Sequence, residues 1–160
     1  HLTITDANRE PLAIAVQRLE AHRLRAGVVI RDAWEPPDRT VDGLFAGFWL
    51  SHVPRARLGA FLALARAWLA PGGRFAFIDS LDDPQSGAVA QARRDIAPGI
   101  QERTVADGRR FRVVKEYYGP EELTSALREA GFEGVDVRGT ARFFLLGSAI
   151  APAGPVSSPE

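Results

Sequence analysis

The sequence predicts an α/β domain built on a mostly parallel sheet, with an antiparallel strand at its carboxyl end. Three observations carry this. Residues Val41 to Asp79, VDGLFAGFWLSHVPRARLGAFLALARAWLAPGGRFAFID, read as strand, amphipathic helix, Pro-Gly-Gly turn and strand. Two shorter strand-like runs with a helix between them come before that unit, and strands alternating with helices make a parallel sheet. Two last strand-like runs, Val135 to Val137 and Phe143 to Ile150, lie close enough to form a hairpin.

Leu2 to Thr5 is short, alternating and β-branched, and Asp6 ends it. Asn8 can cap the helix that follows, with Pro11 in its first turn. Leu12, Ala15, Val16 and Leu19 then recur at the spacing of a buried helical stripe. Gly27 opens a second strand, Val28-Val29-Ile30, followed by Asp32-Ala33-Trp34, and Pro36-Pro37 makes a loop.

Val41 to Ala46 is the third strand, and its continuous apolar run suits a strand covered on both faces. In the helix after His52, Leu58, Phe61, Leu62, Ala65, Trp68 and Leu69 share one face, and Pro71-Gly72-Gly73 stops the helix. Arg74 to Ile78 is the fourth strand, with Asp79 at its carboxyl end. Beyond it the periodicity weakens: a helix is expected over 85–95, broken by Pro98-Gly99. Asp107-Gly108 is a hairpin turn between Glu102–Val105 and Arg110–Val114. Pro120 and two acids start another helix, with Leu123, Ala126, Leu127 and Ala130 inward and Gly131 at its end. Residues 1–150 are read as one domain and 151–160, rich in Pro, Gly and Ser, as a disordered tail.

Composition narrows the function. Lys plus Arg equals Asp plus Glu. A nucleic-acid or anionic-membrane surface needs a basic excess, so neither is expected as the main partner. The absence of Cys excludes disulfides, thiolate chemistry and Cys-ligated zinc. No apolar run reaches the ~18 residues of a membrane span, and the expected setting is the cytoplasm. Nineteen of the twenty basic residues are Arg, which together with the Ala content suggests a GC-rich bacterial coding style. The chain also lacks Met and begins at His1, inside a strand-like run. That leads us to expect sequence upstream of His1.

The chemistry is expected at the carboxyl ends of the strands, where ligands bind in such sheets. Asp6 and Asp32 end the first two strands and Asp79 the fourth. A carboxylate there can accept two hydrogen bonds from a ribose diol. A second, one strand over, can accept from an adenine amino group, with Ala33 beside the purine and Trp34 offering its ring. A ring stacked on a base is worth ~1–3 kcal/mol. For any single Asp, capping the next helix is an equal account. His52, at the start of the helix after the third strand, is a candidate general base; packing on Trp49 with one hydrogen bond is the alternative. Asp79 is a candidate base or orienting group. Tyr117 and Tyr118 read as core.

The motifs in this order are similar to those of the class I S-adenosylmethionine-dependent methyltransferases, over nearly the whole chain. The matching residues are Asp6, Asp32-Ala33, VDGLFAGFWLSHVP, LAPGGRFAFID and YYGPEELTSALREAGFEGVDV. The resemblance implies a Rossmann-like methyltransferase sheet. It implies S-adenosylmethionine as cofactor, methyl transfer to a small-molecule acceptor, and no metal. It implies that Asp6, with Ala7 beside it, holds the ribose hydroxyls, and that Asp32, Ala33 and Trp34 hold the adenine. Gly47 and Phe48 would line the methionine part through backbone atoms. Trp49 and His52 would lie near the sulfonium and the acceptor. Lys115, Glu116, Tyr117 and Tyr118 lie where this family often places acceptor-pocket or lid residues.

One departure is large. The family's first strand and its Gly-rich loop have no counterpart here, so the sheet is expected to lack that strand. Its removal leaves two strand edges unpaired, beside Asp6 and beside Gly47, and such edges invite pairing with another chain. The chain is therefore expected to be a fragment of a longer parent. The alternatives are a sheet rearranged to close the gap, another Rossmann-type binder such as a nicotinamide-dependent enzyme, and a non-catalytic interaction module. Oligomeric state is open, with a homodimer among the options.

Overall fold

The structure, a computed structural model, describes residues 1–83, 94–105 and 107–154. The chain divides into two compact units, His1–Pro36 and Pro37–Glu160.

The first unit is a parallel crossover. β1 (Thr3–Asp6) leads into α1 (Arg9–Ala21), which returns the chain to β2 (Gly27–Ile30). The strands pair in parallel from Thr3 opposite Gly27 to Asp6 opposite Ile30. Asn8 occupies the cap position of α1 with extended backbone, but its side chain makes no cap bond. The Asp6 carboxylate instead fixes the turn that leads into the helix, its Oδ1 accepting the Asn8 N–H at 2.7 Å. Of the expected inward stripe Leu12 is buried, and Ala15, Val16 and Leu19 are half-buried.

The second unit holds β3 (Val41–Gly47), two 3-10 turns (Leu50–His52 and Arg55–Arg57), α2 (Leu58–Ala67) and β4 (Leu69–Ser80). A ribbon follows, of β5 (Arg94–Ala97), β6 (Ile100–Thr104) and β7 (Arg110–Val114). α3 (Pro120–Glu129), β8 (Glu133–Gly139) and β9 (Phe144–Ile150) complete it. The main sheet has the order β3-β4-β9-β8. β3 pairs with β4 in parallel, and β9 runs antiparallel to both β4 and β8. Three strands therefore point one way and β9 the other, the mostly parallel α/β architecture expected. Among the described residues β1 pairs with β2 alone and β3 with β4 alone.

The core lies on one face of this sheet. Phe75 and Phe77 of β4 are buried with Leu62 of α2, Leu123 and Leu127 of α3, and Phe132 just beyond it. The ring centroids of Phe75 and Phe132 are 5.9 Å apart. Phe77 lies over β9 at Gly147, where a Cβ would run into its ring.

Three local expectations are corrected. β3 is not covered on both faces: Phe45, opposite Ala76, points away from the core and is 67% exposed. Phe144 and Leu146 of β9 share that open face. The reason is that α2 and α3 pack on the Phe75 face, which leaves the face shared by Phe45, Phe144 and Leu146 open. The helix before β4 ends at Ala67, not at the Pro-Gly-Gly turn. That turn is an irregularity inside β4, with the register shifting between Val41 and Gly43. Gly72 there has φ +77°, and a Cβ on Gly73 would lie 2.8 Å from the Ala70 carbonyl oxygen. Between His52 and Leu58 the chain makes 3-10 turns, because Pro54 cannot donate within a regular helix. The helix expected over 85–95 falls largely outside the described residues, and its last two, Arg94 and Asp95, open β5. The Asp107-Gly108 hairpin forms as expected, with Thr104 opposite Arg110. Of the tail expected over 151–160, residues 155–160 lie outside the described residues.

Candidate active site

In the first unit two carboxylates stand at one end of a parallel pair. Asp6 is the last residue of β1, and Asp32 lies two residues beyond the end of β2. Asp6 spends Oδ1 on the Asn8 N–H. Asp32 spends Oδ1 on the Trp34 N–H at 2.9 Å, while its own N–H donates to Glu35 Oε1 at 3.2 Å. Each is an Asx turn, which fixes the carboxylate plane relative to the backbone. Oδ2 of each has no partner among the described residues, so one oxygen per group is left for a hydroxyl or amino donor. Trp34 is half-buried, and Ala7 and Ala33 are exposed. Two oriented carboxylate acceptors beside an indole suit an adenosyl group, whose ribose hydroxyls and adenine amino group donate.

In the second unit the carboxyl ends of β3 and β4 lie side by side, with Gly47 opposite Ile78. The chain then bends sharply. Phe48 has φ +55°, a left-handed conformation costly for a bulky side chain. Its N–H donates to the Ile78 carbonyl at 2.7 Å, and its ring meets that of Phe144 edge-on at 5.9 Å. Strain of this kind is held where surrounding structure over-determines it, often at functional sites. Trp49 follows, half-buried against Phe61 at 6.1 Å. Its indole Nε1 is buried and has no hydrogen-bond partner among the described residues.

Next comes a buried polar cluster. Asp79 is 2% exposed and Ser51 1%. Asp79 Oδ2 accepts the Ser51 N–H at 2.9 Å, and Oδ1 accepts the Ser80 N–H at 2.7 Å. Lys115, just past β7, brings its ammonium 3.8 Å from Asp79 Oδ1. It also donates to Ser51 Oγ at 2.7 Å and to Ser80 Oγ at 3.4 Å.

His52 is on the same turn and is exposed. Its Nδ1 is 2.7 Å from the Val114 carbonyl oxygen. A carbonyl can only accept, so Nδ1 carries the proton and Nε2 of the neutral ring is the free base. Partial burial of the ring lowers its pKa from the ordinary 6.5, and the Lys115 ammonium lowers it further, against the raising effects of the Val114 carbonyl and Asp79. At neutral pH the ring is therefore a base ready to accept a proton.

Around the cluster Arg55 ties the turn to α3. It reaches Glu116 Oε2 at 3.0 Å, the Tyr117 carbonyl at 2.7 Å and the Glu122 carboxylate. Its guanidinium lies 4.8 Å from the centre of the Tyr118 ring. Tyr118 is buried and donates to the Val53 carbonyl at 2.7 Å. Burial raises the pKa of its hydroxyl, with the Glu116 carboxylate adding to the effect.

The expected residues thus fall into two groups. Asp6, Ala7, Asp32, Ala33 and Trp34 share one end of the first unit, and Gly47, Phe48, Trp49, His52 and Asp79 share one end of the second. The sequence reading missed the link from Ser51 and Lys115 to Asp79. A signal for it exists, since Lys115 is the lone Lys in an Arg-rich chain. An open groove of about 600 Å³ in the first unit, lined by Ile4, Pro11, Ile14 and Leu19 among others, contains none of the expected residues. Among the described residues no group of three or more His, Asp or Glu is placed to hold a metal. No helix among them is long and apolar enough to cross a membrane.

No protein-family model and no curated protein matches the chain. Solved structures do. A complex of DhpI with SAH is 32% identical over 95% of this chain, with a TM-score of 0.72. A DhpI complex with SAM and HEP is 32% identical over 92%, with a TM-score of 0.74. This chain spans 66% of each of those chains. The 1,6-didemethyltoxoflavin-N1-methyltransferase of Burkholderia thailandensis, bound to 1,6-didemethyltoxoflavin and S-adenosylhomocysteine, is 24% identical over 94% of this chain and is spanned to 60%, with a TM-score of 0.57. At that identity the likeness concerns the fold alone.

Proposed function

Because this chain belongs to the class I S-adenosylmethionine-dependent methyltransferase family, we propose that the protein transfers the methyl group of S-adenosylmethionine to a small-molecule acceptor. The observation that carries the reading is 32% identity, over 95% of the chain, to a structure solved with SAH. When bound, the cofactor supplies a methyl group already activated by a sulfonium.

The chain's own residues then have to bind and orient. In the first unit Asp6, with Ala7 beside it, takes the ribose hydroxyls through its unspent oxygen. Asp32 takes the adenine amino group, flanked by Ala33 and Trp34. In the second unit Gly47 and Phe48 offer backbone atoms to the methionine part, and Trp49 packs near the methyl. Orientation of this kind is worth ~7–11 kcal/mol in favourable cases. Where the acceptor is protonated, His52 Nε2 takes the proton. Asp79, with both oxygens engaged, orients the turn that carries His52. Residues 1–150 act as one domain on this reading, in a bacterial cytoplasm, with a small-molecule partner.

Calorimetric titration with S-adenosylhomocysteine and, separately, with NADH tests the reading. Binding of the first alone is expected. Binding of NADH alone would sink it in favour of a nicotinamide enzyme.

A further inference from the structure

One buried cation has no part in that reading. Lys115 is 8% exposed, and a buried ammonium is costly unless it is paired and hydrogen-bonded. Lys115 meets both conditions, with Ser51 Oγ, Ser80 Oγ and the Asp79 carboxylate around its Nζ.

The consequence falls on Ser51. Its N–H is held by Asp79, its hydroxyl by Lys115, and its carbonyl by the Glu116 N–H at 2.8 Å. Three atoms of one residue are thus fixed from two other segments. His52 is the next residue, and its ring is bound to Val114, the residue before Lys115. Lys115 stands at the middle of this cross-connection. Its identity also fits the space. A compact ammonium with three rotatable donors suits two hydroxyls and a carboxylate, whereas a planar guanidinium fork does not. That is a physical reason for a single Lys in a chain that otherwise uses Arg.

We propose that Lys115 is a positioning residue whose buried ammonium fastens the turn after β3 to the end of β4 and fixes both the place and the electrostatic surroundings of His52. Its part in methyl transfer rests on the function proposed above; its control of His52 does not. Four groups bear on the His52 ring: Lys115 and Arg103 disfavour the imidazolium, while Asp79 and the Val114 carbonyl favour it. Lys115 outweighs Asp79 among them.

The test is an NMR pH titration of His52, assigned by its loss in His52→Gln, in the parent, in Lys115→Met and in the pair Lys115→Met with Asp79→Asn. The pair removes both charges, so it keeps the measurement alive if the single variant leaves Asp79 uncompensated and fails to fold. In Lys115→Met, His52 is expected to titrate higher by about half a pH unit or more. In the pair the rise is smaller but has the same sign. A folded variant of either kind in which His52 titrates where the parent does would overturn the proposal. Where methyl transfer is measurable, the acid limb of kcat/KM moves with the His52 titration. If the protein transfers no methyl group, the function above fails while the NMR outcome still decides the role of Lys115.

Discussion

The Nδ1 of His52 lies 2.7 Å from the carbonyl oxygen of Val114, 62 residues further along the chain. That bond fixes the tautomer, and partial burial with the Lys115 charge holds the pKa below 6.5. The folded state therefore binds fewer protons at this site than the unfolded state does. The resulting stability is fully present above pH 6.5 and is lost as the pH falls from there through the folded value. Thermal melts of the parent are expected to lose ground to those of His52→Gln over that window. Parallel curves for the two proteins would show that His52 is not shifted.

Asp6 and Asp32 each keep one oxygen unspent. Asp6→Ala and Asp32→Ala are each expected to weaken S-adenosylhomocysteine binding about tenfold or more, the equivalent of ~1.4 kcal/mol for a lost charge-assisted hydrogen bond. Calorimetry reads this directly. Because each carboxylate also holds an Asx turn, Asp6→Asn and Asp32→Asn are the controls for a purely local effect.

Two glycines give opposite expectations. Gly59, near the start of α2, has nothing within 4 Å of an added Cβ. Gly59→Ala should stabilise the fold by ~0.5–1 kcal/mol through helix propensity. At Gly147 an added Cβ meets the Phe77 ring, itself fully buried. Gly147→Ala should cost ~1–3 kcal/mol by overpacking. Urea unfolding of the two variants beside the parent is the check, and equal midpoints would contradict at least one of the two assignments.

Trp49 packs on Phe61 but leaves its indole N–H without an acceptor among the described residues. A buried unmade hydrogen bond costs ~1–3 kcal/mol, so Trp49→Phe loses area and sheds that cost together. It should stay within ~1 kcal/mol of the parent. Leu62→Ala in the core should cost ~2–5 kcal/mol. A Trp49→Phe variant as damaged as Leu62→Ala would mean that the indole N–H is bonded in solution.

Much of the fold was legible because it is local. The 3.6-residue spacing of Leu58, Phe61, Leu62 and Ala65 and of Leu123 and Leu127 placed α2 and α3, and Asp107-Gly108 placed the β6-β7 hairpin. The limits were non-local. Nothing in the residues around Phe45 says that one face of β3 is left open. Nothing in GFW says that Phe48 takes a positive φ. The candidate site divides the same way. Asp6, Asp32 and Asp79 were readable from their positions after strands, and His52 from its place after the third. The link from Asp79 to Lys115 spans elements whose meeting no sequence window contains, so only the oddity of one Lys among many Arg pointed to it.

Residues 51–55 and 114–118 are tied by His52 to Val114, Ser51 to Lys115 and Glu116, Val53 to Tyr118, and Arg55 to Glu116. Every one of these bonds closes a loop of about sixty residues, and such contacts form late because the closure entropy must be met first. The same bonds open early, since they join the turns after β3 to the segment at the end of β7 and are not part of a sheet ladder or a helix. Mild denaturant should thus uncouple this seam while the Phe75 core and the helices persist. Amide exchange at Ser51 and Glu116, faster than at Phe75 and Leu123, would show a site that is the last part of the molecule to assemble and the first to come apart.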